Sequence, residues 1–339
     1  MLYKLLGHTG IRVSELCLGT MTFGEDWGWG ASKETCKELV TQFLDAGGNF
    51  IDTANYYTNG SSELILGEVL QGIRQKIVLG TKYSLMMNNT DINSGGNQRK
   101  NMMYSLEESL KRLKTDYVDI FWVHIWDQLT PIEEVIRGLE DLVRSGKVLH
   151  TGISDTPAWL IAKANAMSES RNWTRFNAIQ IEYNLIERTS ERELIPMAQD
   201  EKLSVLAWSP LAGGLLSGKY SSKLSKEKDG SRLDNNQRLN EHNLSIADTV
   251  VEIANATNVS PSTVALSWIK KNPVIIPIIG ARKTEQLKDN LNCLQYNLAE
   301  SDYLKLEEVS KIKLGFPHDF INSEAAQSIL HGPFRNQLF

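Results

Sequence analysis

Four polar side chains stand where their chemistry could be combined: Asp52, Tyr57, Lys82 and His124. Asp52, Lys82 and His124 each follow a short apolar run rich in β-branched or aromatic residues, the pattern of a buried strand. An ammonium group beside a phenol favours the phenolate, so Lys82 is expected to lower the pKa of Tyr57. Asp52 would keep Lys82 charged and oriented, and His124 would hydrogen-bond the oxygen that exchanges a proton with Tyr57.

This combination of groups suits the reduction of a carbonyl to an alcohol. No side chain can supply the hydride, so a nicotinamide cofactor is expected. Taken singly, an aspartate, lysine or histidine in a barrel protein is more often a surface or ion-pair residue than a catalyst, but four such residues after successive strands favour catalysis. A lysine at a strand end could instead form a Schiff base, as in an aldolase-like lyase, if no carboxylate held it tightly.

The elements that must position these residues alternate between strand and helix. Strands are predicted at 15–18, 49–52, 76–81, 118–124, 148–153, 178–182, 203–208 and 274–279. Helices are predicted at 32–47, 62–71, 99–114, 131–145, 156–170, 191–200, 246–258, 261–271 and 284–290, with Thr130-Pro131 and Ser260-Pro261 as helix starts. This alternation predicts an α/β fold, a (β/α)8 TIM barrel, and barrel enzymes carry their active sites at the carboxyl ends of the strands.

Several segments lie outside this alternation. Residues 3–6 and 12–13 flank a turn and predict an N-terminal β-hairpin. Two long polar connections, 84–98 and 221–243, are expected to be loops at the carboxyl-terminal face that border the substrate site. The C-terminal extension after Lys311 carries Phe316, Phe320 and Phe334, and is expected to pack over the barrel. No linker interrupts the chain, so residues 1–339 are predicted to form a single domain.

Composition narrows the range of partners. A net charge of −5 and a pI near 5.8 give no electrostatic footprint for nucleic acid or an anionic membrane. No stretch approaches the roughly 20 apolar residues of a membrane span, and the apolar start is too short for a signal peptide. The three cysteines are widely separated and no Cys/His cluster has metal-ligand spacing. We therefore expect a soluble cytoplasmic protein that binds no metal and acts on a small-molecule carbonyl or alcohol.

Longer motifs around these residues resemble those of the aldo-keto reductases. The segments are 52–57 with Ser62-Glu63, 80–82, 116–120 with His124, 209–220 and 279–282, so the resemblance covers nearly the whole chain. The spacing of five from Asp52 selects Tyr57, not Tyr56, as the match to the family's acid. Segments 124–127 and 152–159 most resemble the aryl-alcohol dehydrogenase-like branch.

The resemblance implies a barrel that binds NADP(H) in an extended form without a Rossmann domain. It also implies an NADPH-dependent oxidoreductase that reduces aldehydes or ketones reversibly, with aryl alcohols as possible products. A different function is implied by the potassium-channel β-subunits of the same superfamily, which keep a cofactor and serve a partner protein. An exposed apolar patch or very slow turnover would favour that regulatory role.

Carried over residue by residue, the family's cofactor contacts fall at Thr20, Met21, Asp52, Ser154, Asp155, Gln180, Trp208, Ser209, Pro210, Leu211, Gly213, Lys219, Gly280, Arg282, Gln286 and Asn290. Ser154, Asp155 and Gln180 match the contacts to the nicotinamide carboxamide, and Trp208 matches the ring that stacks on the nicotinamide. Residues 209–219 match the pyrophosphate loop. Gly280, Arg282, Gln286 and Asn290 match the adenosine end, with Arg282 as the candidate for the 2′-phosphate. Asp155 replaces the usual asparagine and, as a carboxylate, can accept from the carboxamide but cannot donate to it. Candidates for the substrate pocket are Met21, Phe23, Trp27, Trp29 and Trp126, whose aromatic character indicates an apolar or aromatic substrate.

Overall fold

The computed structural model describes residues 1–220 and 238–337. Its eight-stranded barrel is closed and all-parallel, with helices between the strands, which confirms the predicted TIM barrel. The strands are β1 (Tyr3–Leu5), β2 (Arg12–Ser14), β3 (Cys17–Gly19), β4 (Phe50–Asp52), β5 (Val78–Tyr83), β6 (Val118–Val123), β7 (Val148–Ser154), β8 (Phe176–Glu182), β9 (Ser204–Trp208) and β10 (Ile275–Ile279). Strands β3 to β10 follow one another around the barrel, and β10 pairs with β3 to close it.

The helices of the described ranges are α1 (Lys33–Asp45), α2 (Ser61–Val69), α3 (Arg99–Leu113), α4 (Ile132–Arg144), α5 (Ala158–Ser170), α6 (Leu194–Asp200), α7 (Glu241–Thr257), α8 (Pro261–Lys270), α9 (Thr284–Leu291), α10 (Glu300–Val309), α11 (His318–Ile321) and α12 (Glu324–His331). The predicted cap at Ser260 is confirmed, because its side chain accepts from the backbone of Thr263 and Pro261 opens α8. The cap predicted at Thr130 is wrong: its hydroxyl donates to Asp127 instead. Across both described ranges, every helix is too short or too polar to span a membrane.

Apolar side chains fill the inside of the barrel. The cluster includes Phe50, Ile120, Trp122, Leu206 and Ile276, all of them fully buried. The N-terminal hairpin of β1 and β2, confirmed here, adds Leu6 and Val13 to this cluster. The backbone N–H of Gly7 donates to Ser204 Oγ at the start of β9, at 2.7 Å. The hairpin therefore closes the amino-terminal end of the barrel and leaves the carboxyl-terminal end for a site.

Trp122 shapes the barrel interior beside the predicted site. A Cβ atom at Gly152 would lie 2.2 Å from a ring carbon of Trp122, and one at Gly80 would lie 2.7 Å from its Nε1. The Cβ at Gly80 would also lie 3.4 Å from Asp52 Oδ1. The indole thus occupies space that only glycines on the two neighbouring strands leave open, and it lies close to Asp52.

The predictions for the two long loops and for the tail had different outcomes. The 84–98 loop leaves the carboxyl end of β5, as predicted, whereas residues 221–237 of the second loop lie outside the described residues. The prediction that the tail packs over the barrel is wrong, since Phe316 is 86% exposed and Phe320 and Phe334 are also exposed. The tail is attached through polar contacts such as Arg192 Nη2 to Lys313 O at 2.8 Å, while Phe316, Phe320 and Phe334 remain exposed to water.

Candidate active site

Asp52, Lys82 and Tyr57 form one hydrogen-bonded chain at the carboxyl-terminal face. Asp52 ends β4 and lies beside β5, which carries Lys82. The Lys82 Nζ atom donates to a carboxylate oxygen of Asp52, to Thr53 O at 2.9 Å and to Tyr57 Oη at 2.9 Å. Lys82 is fully buried and Asp52 almost so. The ammonium group is therefore held between a carboxylate and a phenol, away from water.

A strained turn after β4 brings Tyr57 to this position. Thr58 and Asn59 have left-handed backbone angles, with φ of 46° and 56°. The hydroxyl of Thr58 donates to Phe23 O at 2.6 Å, which ties the turn to the chain before α1. As a result, the Tyr57 ring centroid lies 4.6 Å from Lys82 Nζ. A left-handed backbone conformation costs free energy in a non-glycine residue, and such strain is often found at functional sites.

Burial and the neighbouring charges together set the pKa values of Asp52, Tyr57 and Lys82. Burial opposes the charge of Lys82, but Asp52 and Tyr57 prevail and raise the pKa of Lys82 to about 12. Burial also raises the pKa of Asp52, against the effect of Lys82. Burial raises the pKa of Tyr57 above its ordinary value, although the charge of Lys82 acts to lower it. The expectation of a lowered Tyr57 pKa is therefore wrong for this structure, because the loss of hydration outweighs the nearby ammonium.

His124 completes the group as the first residue after β6. Its backbone N–H donates to Tyr83 O at 3.0 Å and to Ser84 Oγ at 3.2 Å. Its ring meets that of Tyr57 edge-on, with the centroids 5.8 Å apart. Burial and the charge of Lys82 hold the pKa of His124 well below its ordinary value, so the imidazole is neutral at pH 7. Its Nδ1 atom is buried and has no hydrogen-bond partner among the described residues.

The predicted nicotinamide contacts lie at the ends of β7, β8 and β9. Trp208 Nε1 donates to Asp155 Oδ1 at 3.1 Å, which fixes the indole relative to the carboxylate. Gln180 Nε2 donates to Asp52 Oδ1 at 3.2 Å and so links this side of the barrel to the hydrogen-bonded chain of Asp52, Lys82 and Tyr57. Ser154 is buried at the end of β7. The structure thus brings these predicted contacts together next to Asp52.

The predicted phosphate-binding segment, 209–219, follows β9. Ser209 has a φ of 52°, and its Oγ accepts from the backbone N–H of Gly213 at 3.1 Å. Gly213 and Gly214 have φ of 67° and 103°, inside a short 3-10 helix at Ala212–Ser217. Left-handed residues of this kind can turn successive backbone N–H groups toward an anion. Pro210 and Leu211 lie between these turns, and Lys219 is exposed just beyond them.

The predicted adenosine contacts follow β10. Arg282 is exposed, and its guanidinium group makes no hydrogen bond or ion pair within residues 1–220 and 238–337. Gln286 Oε1 accepts from the backbone N–H of Arg282 at 2.9 Å, and Asn290 Nδ2 donates to Gly280 O at 3.3 Å. In this structure Gln286 and Asn290 therefore hold the loop that presents Arg282, rather than pointing freely outward.

Other predicted residues lie in different environments. Thr20 is fully buried, and its backbone and hydroxyl both donate to Asp52 O at 3.0 Å, so it supports the strand end and has no exposed surface for a ligand. Phe23 is also fully buried in the outer core, so its assignment to the substrate pocket is wrong. Its apolar character reflects packing between the barrel and the helices.

The remaining pocket candidates line the face near Tyr57. Trp27 lies 5.6 Å from Trp29 and 5.9 Å from Tyr56, measured between ring centroids. Trp126 is half-buried two residues after His124, and Met21 is half-buried after β3. This surface of partly exposed aromatic rings suits an apolar or aromatic substrate.

Sequence reasoning missed one polar group that the structure brings to the site. Asn97, at the end of the 84–98 loop, is fully buried and joins that loop to the segment after His124. It lies in a stretch rich in Asn, Ser and Gly, where nothing distinguishes a buried amide from solvated ones.

A parallel barrel with polar groups gathered at the carboxyl ends of its strands has the architecture of a barrel enzyme. The sequence matches the model of the Aldo/keto reductase family over residues 15–311, and the chain belongs to this family of oxidoreductases.

Named relatives agree with this membership. A norsolorinic acid reductase of Emericella nidulans is 39% identical over 323 residues, which cover 92% of this chain and 82% of that protein. An aryl-alcohol dehydrogenase of Pestalotiopsis microspora is 37% identical over 330 residues, 94% and 85% of the two chains. An aryl-alcohol dehydrogenase (NADP+) of Phanerodontia chrysosporium is 35% identical over 349 residues, 97% and 90% of the two chains.

Proposed function

We propose that this protein is an NADPH-dependent oxidoreductase that reduces aldehydes or ketones to alcohols, reversibly and with aryl alcohols among its products. The observation that carries the proposal is the hydrogen-bonded chain from Asp52 through Lys82 to Tyr57, with the neutral imidazole of His124 beside it. The aryl-alcohol dehydrogenase (NADP+) among the relatives supports the cofactor and the substrate class.

The residues present fit a nicotinamide dinucleotide. Trp208 and Asp155 would hold the nicotinamide, and the 209–219 segment would bind the phosphates through its left-handed glycines. Arg282 would bind the 2′-phosphate, which is supported by its exposed guanidinium group, for which residues 1–220 and 238–337 provide no hydrogen-bond or ion-pair partner. When bound, the cofactor supplies the hydride that no side chain can provide.

The protein's own residues would handle the proton. A phenol with its ordinary pKa near 10 is protonated at neutral pH, and burial raises the pKa of Tyr57 further, so Tyr57 would be the acid that donates to the carbonyl oxygen. Lys82 donates to the phenolic oxygen at 2.9 Å and would stabilise the phenolate as it forms. Asp52 and Thr53 O hold the ammonium in this direction, and neutral His124 would donate a hydrogen bond to the same carbonyl oxygen.

A Schiff-base lyase is disfavoured. That chemistry needs an unprotonated lysine free of a carboxylate partner. Lys82 is paired with Asp52, and its pKa is raised to about 12. A nucleophilic amine at this position would therefore be rare at neutral pH.

A cofactor-binding regulatory subunit is the second candidate. It is favoured by the exposed apolar side chains of the tail, among them Phe316, Ile329 and Phe334. Exposed apolar groups of this size are typical of surfaces that contact a partner. Cofactor binding with very slow turnover of every carbonyl tested would support this role over the reductase.

The deciding experiment follows NADPH and NADH oxidation by the purified protein with a panel of aliphatic and aromatic aldehydes and ketones. The matched variant is Tyr57→Phe, which keeps the ring and removes the proton donor. We expect the wild type to reduce at least one aromatic aldehyde, and the variant to bind NADPH equally well but lose about 10²–10⁴-fold in rate. Near-normal turnover by Tyr57→Phe would remove Tyr57 from the proposed role.

A further inference from the structure

Asn97 joins three pieces of chain through one side chain. Its Nδ2 atom donates to Ser84 Oγ and to Ile125 O, both at 2.9 Å. Its Oδ1 atom accepts from the backbone N–H of Asp127 at 2.7 Å. Ser84 directly follows β5, while Ile125 and Asp127 follow β6. We call these four residues the Asn97 brace.

Asp127 strengthens the brace from the other side. Its carboxylate accepts from the backbone N–H groups of Asn97, Leu129 and Thr130 and from the Thr130 hydroxyl, at 2.7–2.9 Å. Burial opposes the charge of Asp127, but these hydrogen bonds lower its pKa below the ordinary value, so it is ionised at neutral pH. The segment 124–130 is thereby closed on itself and attached to the end of the 84–98 loop.

Two residues of the candidate site lie on this segment. The backbone N–H of His124 donates to Ser84 Oγ, the same atom that accepts from Asn97. Trp126 lies between the two residues whose backbones bond Asn97. Ser84 itself has a φ of 116°, a strained angle that persists only where surrounding contacts hold it. The position of His124 thus depends on contacts that Asn97 makes.

We propose that Asn97 is a positioning residue that fixes the His124 imidazole and the Trp126 ring at the substrate end of the site. The proposal rests on the reductase function proposed above. Because Asn97 lies between β5 and β6, in the half of the barrel opposite β9 and β10, it acts on the substrate side and leaves the proposed cofactor contacts at Trp208 and Arg282 unchanged.

The test compares Asn97→Ala and Asn97→Asp with the wild type, using the aromatic aldehyde of the panel that is turned over fastest. Asn97→Asp keeps the size of the side chain but removes both donated hydrogen bonds. A misplacement of about 1 Å can cost roughly 10²-fold in rate, so we expect kcat to fall about ten- to a hundredfold. The dissociation constant for NADPH should stay within about twofold by fluorescence titration, and hydrogen exchange of the 124–130 amides should accelerate.

Asn165→Ala is the matched control, because it removes an equally buried amide at the other end of the barrel. Asn165 accepts from the backbone of Phe176, the first residue of β8, at 2.9 Å and donates to Glu201 at 3.1 Å. It should lose stability but keep kcat. If the Asn97 variants fail to fold, Ser84→Ala removes the shared hydroxyl with little change in volume and should lower kcat in the same direction.

The possible outcomes separate the two proposals. Unchanged kcat in the Asn97 variants, an equal loss of kcat in Asn165→Ala, or a parallel loss of NADPH affinity would overturn the positioning role while leaving the reductase intact. If the wild type reduces no carbonyl, the proposed function fails. In that case hydrogen exchange alone tests the Asn97 brace. Unchanged exchange of the 124–130 amides in Asn97→Asp overturns its structural role, and faster exchange confined to that segment supports this role.

Discussion

Lys82→Met removes the ammonium group at the centre of the proposed proton relay and keeps an unbranched side chain that is only one atom shorter. The ammonium group donates to Tyr57 Oη at 2.9 Å, and this contact gains strength as the phenolate forms. A hydrogen bond to a charged group contributes about 1.5–3 kcal/mol. At about 1.4 kcal/mol for each factor of ten, its loss should slow carbonyl reduction by roughly 10- to 150-fold.

The substitution also changes the pH dependence in a defined direction. Without the positive charge, the pKa of Tyr57 should rise further, because burial and Asp52 already oppose the phenolate. Alcohol oxidation needs the phenolate as base, so raising the pH should restore part of its rate in Lys82→Met. The assay is the pH–rate profile in both directions, with NADPH affinity measured by fluorescence titration.

Folding must be separated from catalysis in this experiment. Removing one partner of a buried ion pair is costly, about 3–5 kcal/mol, because Asp52 is left without its ammonium. The double variant Lys82→Met/Asp52→Asn removes that unpaired charge and should recover stability, but not activity. A Lys82→Met protein that folds and keeps the wild-type rate and pH–rate profile would refute the role given to Lys82.

The remaining predictions concern the cofactor, the barrel interior and pH. Arg282→Ala should raise the dissociation constant for NADPH about ten- to a hundredfold and that for NADH little, whereas Lys288→Ala on α9, the helix that follows Arg282, should change neither; equal weakening of both cofactors would contradict the 2′-phosphate assignment. Gly152→Ala should cost about 1–3 kcal/mol in urea unfolding, because its Cβ meets Trp122, while Gly10→Ala, with no atom within 4 Å, should be near neutral; equal values would contradict the packing argument. The pKa of His124 in the folded protein lies below its unfolded value of about 6.5, so the folded state, which holds His124 neutral, is most stable above that pH. Its free energy of unfolding should fall as the pH drops below 6.5, by up to about 1.4 kcal/mol per pH unit. His124→Asn should reduce this dependence of the free energy of unfolding on pH, and an unchanged dependence would exclude His124 as its source.

The barrel, and the grouping of Asp52, Lys82 and Tyr57 at one face of it, could be predicted because strand ends have a recognisable local pattern. In β4 and β5 the apolar runs stop at Asp52 and Lys82, and the parallel pairing of these strands brings the two residues to one face. Helix starts such as Ser260 also depend on neighbouring residues alone. Local pattern was sufficient for these strands and for this cap.

The errors have causes that the local sequence pattern did not show. Phe316 resembles a core residue, but its burial depends on whether a receiving surface exists, and none covers it within the described structure. Thr130 resembles a helix cap until Asp127 takes its hydroxyl. The pKa of Tyr57 depended on the balance between burial and the charge of Lys82, and only the packed structure gives the extent of burial.

Two buried asparagines show why the support of the site escaped sequence analysis. The strained residues Ser84 and Ser209 follow β5 and β9, with φ of 116° and 52°. Asn97 donates to the side chain of Ser84, and Asn184 donates to the carbonyl of Ser209 at 3.0 Å. Each amide forms hydrogen bonds with buried backbone groups that the irregular loops leave without a partner in a helix or strand and that water cannot reach. Charged groups after strands indicate where the proposed chemistry would occur, but neutral amides inside the loops hold that face in shape, and their residue type gives no sign of their burial.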